Sequence, residues 1–219
     1  MVSYQFDWGV LLQYRGLLLE GLVATVELVA ISLLVSLGLG VLVGVARTFL
    51  PPAFSWIFGA YTEFFRNIPP IVQFFFWYFA ANFDVLPAAV IGLSVFTSAY
   101  IAEIIRSGIQ AIPRTQVEAA RSSGMSTLQL IVYILLPQAL IRVIPPLGIE
   151  FINIVKNSAI AMTIGYTELT FQSQEIEAKT FRGFEAATAV TVLYIALAFA
   201  VVIIMHGFER LARLDIRRG

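Results

Sequence analysis

The sequence predicts an all-α membrane protein with five transmembrane helices, and three observations carry that prediction. Of the 219 residues, 59% are hydrophobic and only 13% charged, about half of the roughly 25% that a soluble domain uses to coat its surface. Apolar stretches long enough to cross a bilayer recur along the chain, and mean hydropathy is +0.85. Basic residues gather between alternate stretches instead of being spread evenly. A formal net charge of zero argues against a nucleic-acid-binding surface. The lack of cysteine and the single histidine, His206, exclude disulfides, thiol catalysis and a histidine-based metal cluster.

The first twenty residues carry Asp7, Arg15 and Glu20 and no early basic cluster, unlike a cleaved signal. The first span, 22–46, holds no Lys or Arg. At helical rise it reaches roughly 37 Å, enough for a hydrocarbon core of ~30 Å. It ends at Arg47, ahead of Pro51-Pro52. The second, 56–81, is interrupted by Pro69-Pro70 and carries the aromatic run Phe74–Phe79, which reads as an interfacial belt. The third covers 87–109. A more polar segment follows, and then the fourth span, 138–165, with Pro145-Pro146 near its start. The fifth is 186–208. Each proline pair predicts a kink or break, marking either a plain bend or the edge of a solute route.

Five spans put the termini on opposite sides. One set of loops and ends holds Arg47, Arg66, Arg106, Arg114, Arg121, Arg142, Arg210, Arg213, Arg217 and Arg218; the other holds Arg15, Lys179 and Arg182. Positive residues stay inside, so the N-terminus is expected outside and the C-terminus in the cytoplasm. The polar segment 110–133 is then cytoplasmic, and the acidic stretch around Glu168, Glu175 and Glu177 faces outward.

That cytoplasmic loop reads Glu118-Ala119-Ala120, three residues, Gly124, nine residues, Ile134, one residue, Leu136-Pro137. Pro113 suits a first helical turn, and Glu118 to Arg121 are helix formers. Gly124 suits a left-handed helix stop, and Ser126 the cap of a second helix. Spacing alone leaves both an ordinary loop and a docking knob open.

The pattern E-A-A-x3-G-x9-I-x-L-P, matched here at every fixed position, resembles the signature loop of ABC-importer permease subunits. Similarity to the polar amino-acid uptake branch extends to Glu63–Gln73, Ser98–Pro113, Pro145-Pro146-Leu147-Gly148 and Lys156-Asn157-Ser158, and so to most of residues 20–165. Lys156–Ala161 and Thr163–Gly165 look most like glutamate/aspartate permeases. The resemblance implies one transmembrane domain over 1–219, with a coupling helix-turn-helix, 113–137, between the third and fourth spans. It further implies that Glu118, Ala119, Ala120 and Gly124 form the coupling surface for a partner ATPase dimer that binds ATP and Mg, and that this chain binds no cofactor. The other implied partners are a second permease subunit, identical or paralogous, a periplasmic amino-acid-binding protein and membrane lipid.

Ionisable groups within spans are costly and need a reason. Glu103 and Arg106, three apart, are expected to pair as a local anchor, and Glu63 and Arg66 likewise. Glu27 is read as snorkelling or as meeting the N-terminal segment. The fourth span differs. Glu150, Asn153 and Asn157 recur at i, i+3 and i+7 on one face, with Lys156 a turn from Asn153. Hydrogen bonding to a partner helix would explain them, but a polar substrate pathway is the preferred reading. No G-x4-G-K-[ST] loop occurs, so ATP binding by the chain itself is not expected, and neither is enzymatic activity. A self-contained secondary transporter or channel for small polar solutes is the alternative; it would need charged relays in several spans or an inverted repeat, and neither is found.

Overall fold

The computed structural model describes residues 4–216, with side chains as far as Leu211. Arg217 and Arg218, counted above toward the basic C-terminal end, lie outside the described residues, as does the side chain of Arg213. Among the described residues the chain is all-α, without strands. Helix α1 (Gly9–Gln13) leads into α2 (Arg15–Phe49), a proline-free apolar run that ends just before Pro51-Pro52. α3 (Pro52–Asn67) and α4 (Pro70–Phe75, prolonged by a π-helical segment, Phe76–Ala80) follow. Next come α5 (Val85–Gln110) and α6 (Arg114–Ser122). α7 (Thr127–Gln129) passes through a π-helical segment, Leu130–Leu135, into α8 (Leu136–Asn157), which tightens into a 3-10 helix over Ser158–Ile164. α9 (Leu169–Thr180) and α10 (Gly183–Ile216) complete the chain.

Four stretches among the described residues are long and apolar enough to cross a membrane: Arg15–Phe49, Val85–Gln110, Thr127–Ile164 and Gly183–Leu211. The stretch 56–81 is not one helix. Ile68 (φ −93°, ψ 127°) and Pro69 (φ −54°, ψ 137°) are extended, because a residue preceding proline is pushed out of the helical region. Pro70 then restarts the helix at the position where its missing N–H costs nothing. Pro145-Pro146 behaves differently: α8 runs through both. Val143 and Leu147, on either side, are buried in one core with Ile101 and Ile105, and that packing holds the helix against its lost hydrogen bonds. The fourth span also begins earlier than its composition suggests, at Thr127 instead of 138.

Contacts divide the chain into two compact units. Unit 1 comprises the chain up to Leu34, Pro69–Ser94 and Asn153–Ala200. Leu28, Phe74, Leu93, Ile154 and Ile164 form its core. Phe74, expected in the aromatic belt, is wholly buried, whereas Phe75, Phe76 and Phe79 are exposed. Connecting segments are bonded onto the helices. Buried Thr25 donates to the Gly21 carbonyl at 2.8 Å and accepts the Leu169 N–H at 3.1 Å, and the Tyr166 hydroxyl donates to the Ala24 carbonyl at 3.1 Å. Glu168, expected in an outward acidic loop, is buried as the cap of α9; it accepts the N–H groups of Thr170 and Phe171, both at 2.9 Å, and the Tyr194 hydroxyl. Burial pushes its carboxyl above the usual carboxylate range, and those hydrogen bonds only partly oppose the shift. At the start of α10, Glu185 receives the Tyr4 hydroxyl, the Asp7 N–H at 3.0 Å and Arg182 at 3.3 Å.

Unit 2 comprises Val35–Ile68, Val95–Ile152 and the chain from Val201. Here α2 and α5 meet at glycines. A Cβ on Gly44 would stand 2.6 Å from the Ala102 carbonyl, and one on Gly40 would stand 2.6 Å from Ile101, so small residues let α2 and α5 touch, as membrane helices do. Arg47 links three helices, donating to Thr62 at 2.8 Å and to Glu103 at 2.7 Å, with Glu63 at 3.8 Å. The expected Glu103–Arg106 pair forms. Glu63 and Arg66 do not pair: Arg66 lies over the Tyr100 ring, 5.1 Å from its centre, and Glu63 is drawn toward Arg47.

Candidate functional site: a helical hairpin and the polar face of α8

The hairpin is built by local rules. Pro113 caps α6 in extended conformation (ψ 132°), one position before the helical turn for which its type suits it. Gly124 ends the helix at φ +80°, a conformation cheap only for glycine. Its N–H donates to the Arg121 carbonyl at 3.0 Å, and that of Met125 to the Ala120 carbonyl at 3.2 Å. These are the two bonds of a Schellman stop, and Met125 packs against the cluster that holds Ala120, the kind of apolar contact that often accompanies it. Ser126 then opens α7 with a reciprocal capping box: its Oγ accepts the Gln129 N–H at 3.3 Å, and its own N–H donates to the Gln129 side chain at 2.9 Å. The amide of Gln138 donates to Gln116 at 2.7 Å, tying α8 to α6.

The four loop residues singled out from the sequence do not share an environment. Glu118, Ala119 and Gly124 are exposed. Ala120 is buried among Ile112, Leu130, Leu135 and Ala139, so it packs α6 against the start of α8 and the segment before it. Beyond the capping box, α7, the π-helical segment and α8 form one uninterrupted helical run. That run, Thr127–Ile164, begins three residues after Gly124 and carries Glu150, Asn153, Lys156 and Asn157.

On that helix Glu150 is buried, Asn153 and Asn157 are half-buried, and Lys156 is exposed. Among the described residues Lys156 has no carboxylate partner. Glu150 and Lys156 are six residues apart, so helical geometry turns them to different faces. Sequence reasoning missed the Arg47–Glu103 link, the Glu185 clasp and the buried role of Glu168. Each has a partner far along the chain, Glu103 for Arg47, Tyr4 for Glu185 and Tyr194 for Glu168, and no local pattern announces those partners.

Several span-length apolar helices in one chain define a polytopic membrane protein. The model of the family described as "binding-protein-dependent transport system inner membrane component" matches residues 36–214. The chain is 36% identical over 207 residues to the probable glutamine ABC transporter permease protein GlnM of Bacillus subtilis (strain 168), covering 92% of this chain and 96% of that one. It is 31% identical to the glutamate/aspartate import permease protein GltJ of Escherichia coli (strain K12), covering 100% and 99%. A solved amino acid ABC transporter chain, 32% identical, superposes with a TM-score of 0.86 over 94% of this chain and 99% of that chain. The protein belongs to the binding-protein-dependent transport system inner membrane component family, and is a multi-pass protein of the bacterial inner membrane.

Proposed function

We propose that the chain is the permease subunit of an ATP-driven importer for polar amino acids, with glutamate and aspartate favoured and glutamine next. The names of the relatives support both. The observation that carries the reading is the unbroken helical run from the Ser126 cap to Asn157. Two permease subunits, identical or paralogous, pair around a shared pathway. A periplasmic binding protein delivers the amino acid, and two ATPase subunits, which hold the ATP and Mg, grip the hairpins. Glu118, Ala119 and Gly124 make that grip, and Ala120 keeps α6 seated beneath it. ATPase closure tilts α8 and moves the face of Glu150, Asn153 and Asn157. Lys156 receives a substrate carboxylate, and the acid and amides receive the ammonium or amide groups. The whole chain works as one transmembrane domain, N-terminus periplasmic and C-terminus cytoplasmic, with α3 and α4 together making the fifth crossing. This chain supplies no catalytic group.

The test is uptake by the chain co-expressed with an ATPase and a binding protein. Ala119→Arg enlarges an exposed position, so insertion and stability should hold while ATPase association and uptake fall to background. Gly124→Pro, incompatible with φ +80°, should likewise abolish coupling while leaving insertion intact. Normal transport by both variants would refute the docking role.

A further inference from the structure

A second candidate site lies within unit 2, apart from the hairpin tip and the polar face of α8. A cavity of about 430 Å³ is walled by Val41, Val45 and Phe49 of α2, Ile105 of α5, and Leu140 and Val143 of α8, and no polar surface lines it. Adjoining it is a second cavity of about 460 Å³. The two share Phe49, Ile109, Ile131 and Leu135 as common walls, so they lie side by side as the two ends of one groove in the surface of unit 2. The second cavity is lined by Arg114, Arg121 and Gln110, and no carboxylate lines either part. Arg114 and Arg121 are seven residues apart on α6 and therefore lie on one face, with half-buried Val117 between them. Neither guanidinium has an ion pair or side-chain hydrogen bond among the described residues. Gln110 accepts a hydrogen bond from Arg106 at 2.6 Å, which leaves its amide N–H groups to donate.

We propose that this groove binds an anionic phospholipid, with an acyl chain along the apolar wall and the phosphate between Arg114 and Arg121. Two features on one groove select that occupant. The apolar wall sits on span-length helices, where hydrocarbon fills any gap, and a soluble anion gains nothing from it. The polar end has positive charge without a counter-charge, and arginine binds phosphate by paired N–H donors. Basic pockets between membrane helices hold anionic headgroups for the same reason. A helix of a second copy would cover the apolar wall but would need a carboxylate placed opposite both arginines.

The experiment uses the full-length chain in nanodiscs containing equimolar phosphatidylglycerol and phosphatidylcholine of matched acyl chains, with bound lipid read by native mass spectrometry. The wild type should retain phosphatidylglycerol preferentially, and the preference should drop about fivefold for each arginine replaced in R114Q and R121Q. Val45→Trp, which fills the apolar wall, should lower retention of both lipids while the arginine variants spare phosphatidylcholine. Thermal unfolding identifies any variant that has lost its fold, and the remaining two then decide the result. Equal retention of the two lipids by the wild type would overturn the proposal, as would a preference untouched by the arginine variants or full competition by soluble glycerol phosphate. Because the chain has no cysteine, L140C adds a clean probe. Its disulfide dimer in membranes would assign the groove to a second copy, and its persistence as monomer supports the lipid.

Discussion

In unit 1 the connecting segments are hydrogen-bonded back onto the helices, as in Thr25 to the Leu169 N–H, Tyr166 to Ala24, Tyr194 to Glu168 and Tyr4 to Glu185. In unit 2 the helices themselves press together at Gly40 and Gly44, and the charges of Arg47, Glu103 and Arg106 knit their ends. The difference separates two ways of resisting motion. Hydrogen-bonded turns fix where a segment sits through the direction of donors and acceptors. A glycine seam tolerates almost no added volume.

The largest effect should come from the seam. Gly44→Val drives methyls into the Ala102 carbonyl and Ile105, and overpacking of that kind costs about 3 kcal/mol. Thermal unfolding of the purified chain should show the loss, and an unchanged midpoint would mean the seam is looser than it looks. In unit 1, Thr25→Val keeps the volume but leaves the buried Leu169 N–H without its acceptor, at about 2 kcal/mol. Limited proteolysis should then open the turn before α9. Glu168 gives a pH test. Its carboxyl ionises at higher pH in the folded protein than in the unfolded chain. Its contribution is therefore complete below the ordinary carboxylate value of 4.5 and is lost as pH rises through the elevated folded value. Glu168→Gln cannot ionise, so its melting temperature should stay flat over that window where the wild type declines, and parallel profiles would contradict the burial argument. The smallest effect belongs to the exposed Lys179–Glu175 pair, at 3.0 Å. Lys179→Ala should change stability by no more than about 0.5 kcal/mol, which separates surface charge from the buried ties around it.

Some of this was legible in the residues alone because it depends on neighbours in the chain. The helix stop at Gly124, the Ser126 cap and the Glu103–Arg106 pair each involve groups within five positions of one another, where backbone geometry leaves few alternatives. Similar reasoning misjudged Glu63 and Arg66, whose spacing permits a pair, because Arg47 and Tyr100 offered better partners from other helices. Ala120 went unrecognised as a buried seat, since a small residue carries no sign of which face of its helix will be covered.

What the sequence determined on its own is the helical, membrane-embedded character of the chain and the hairpin motif, because apolar length and capping chemistry are local properties. Only the tertiary structure decided that Pro69-Pro70 breaks its helix while Pro145-Pro146 does not, and that the helix restarts at Thr127 and runs on unbroken to Ile164. It alone placed Glu168 inside. The reason is common to all three. A proline pair, a π-helical turn or a buried carboxylate costs free energy locally, and contacts from distant parts of the chain decide whether that cost is met.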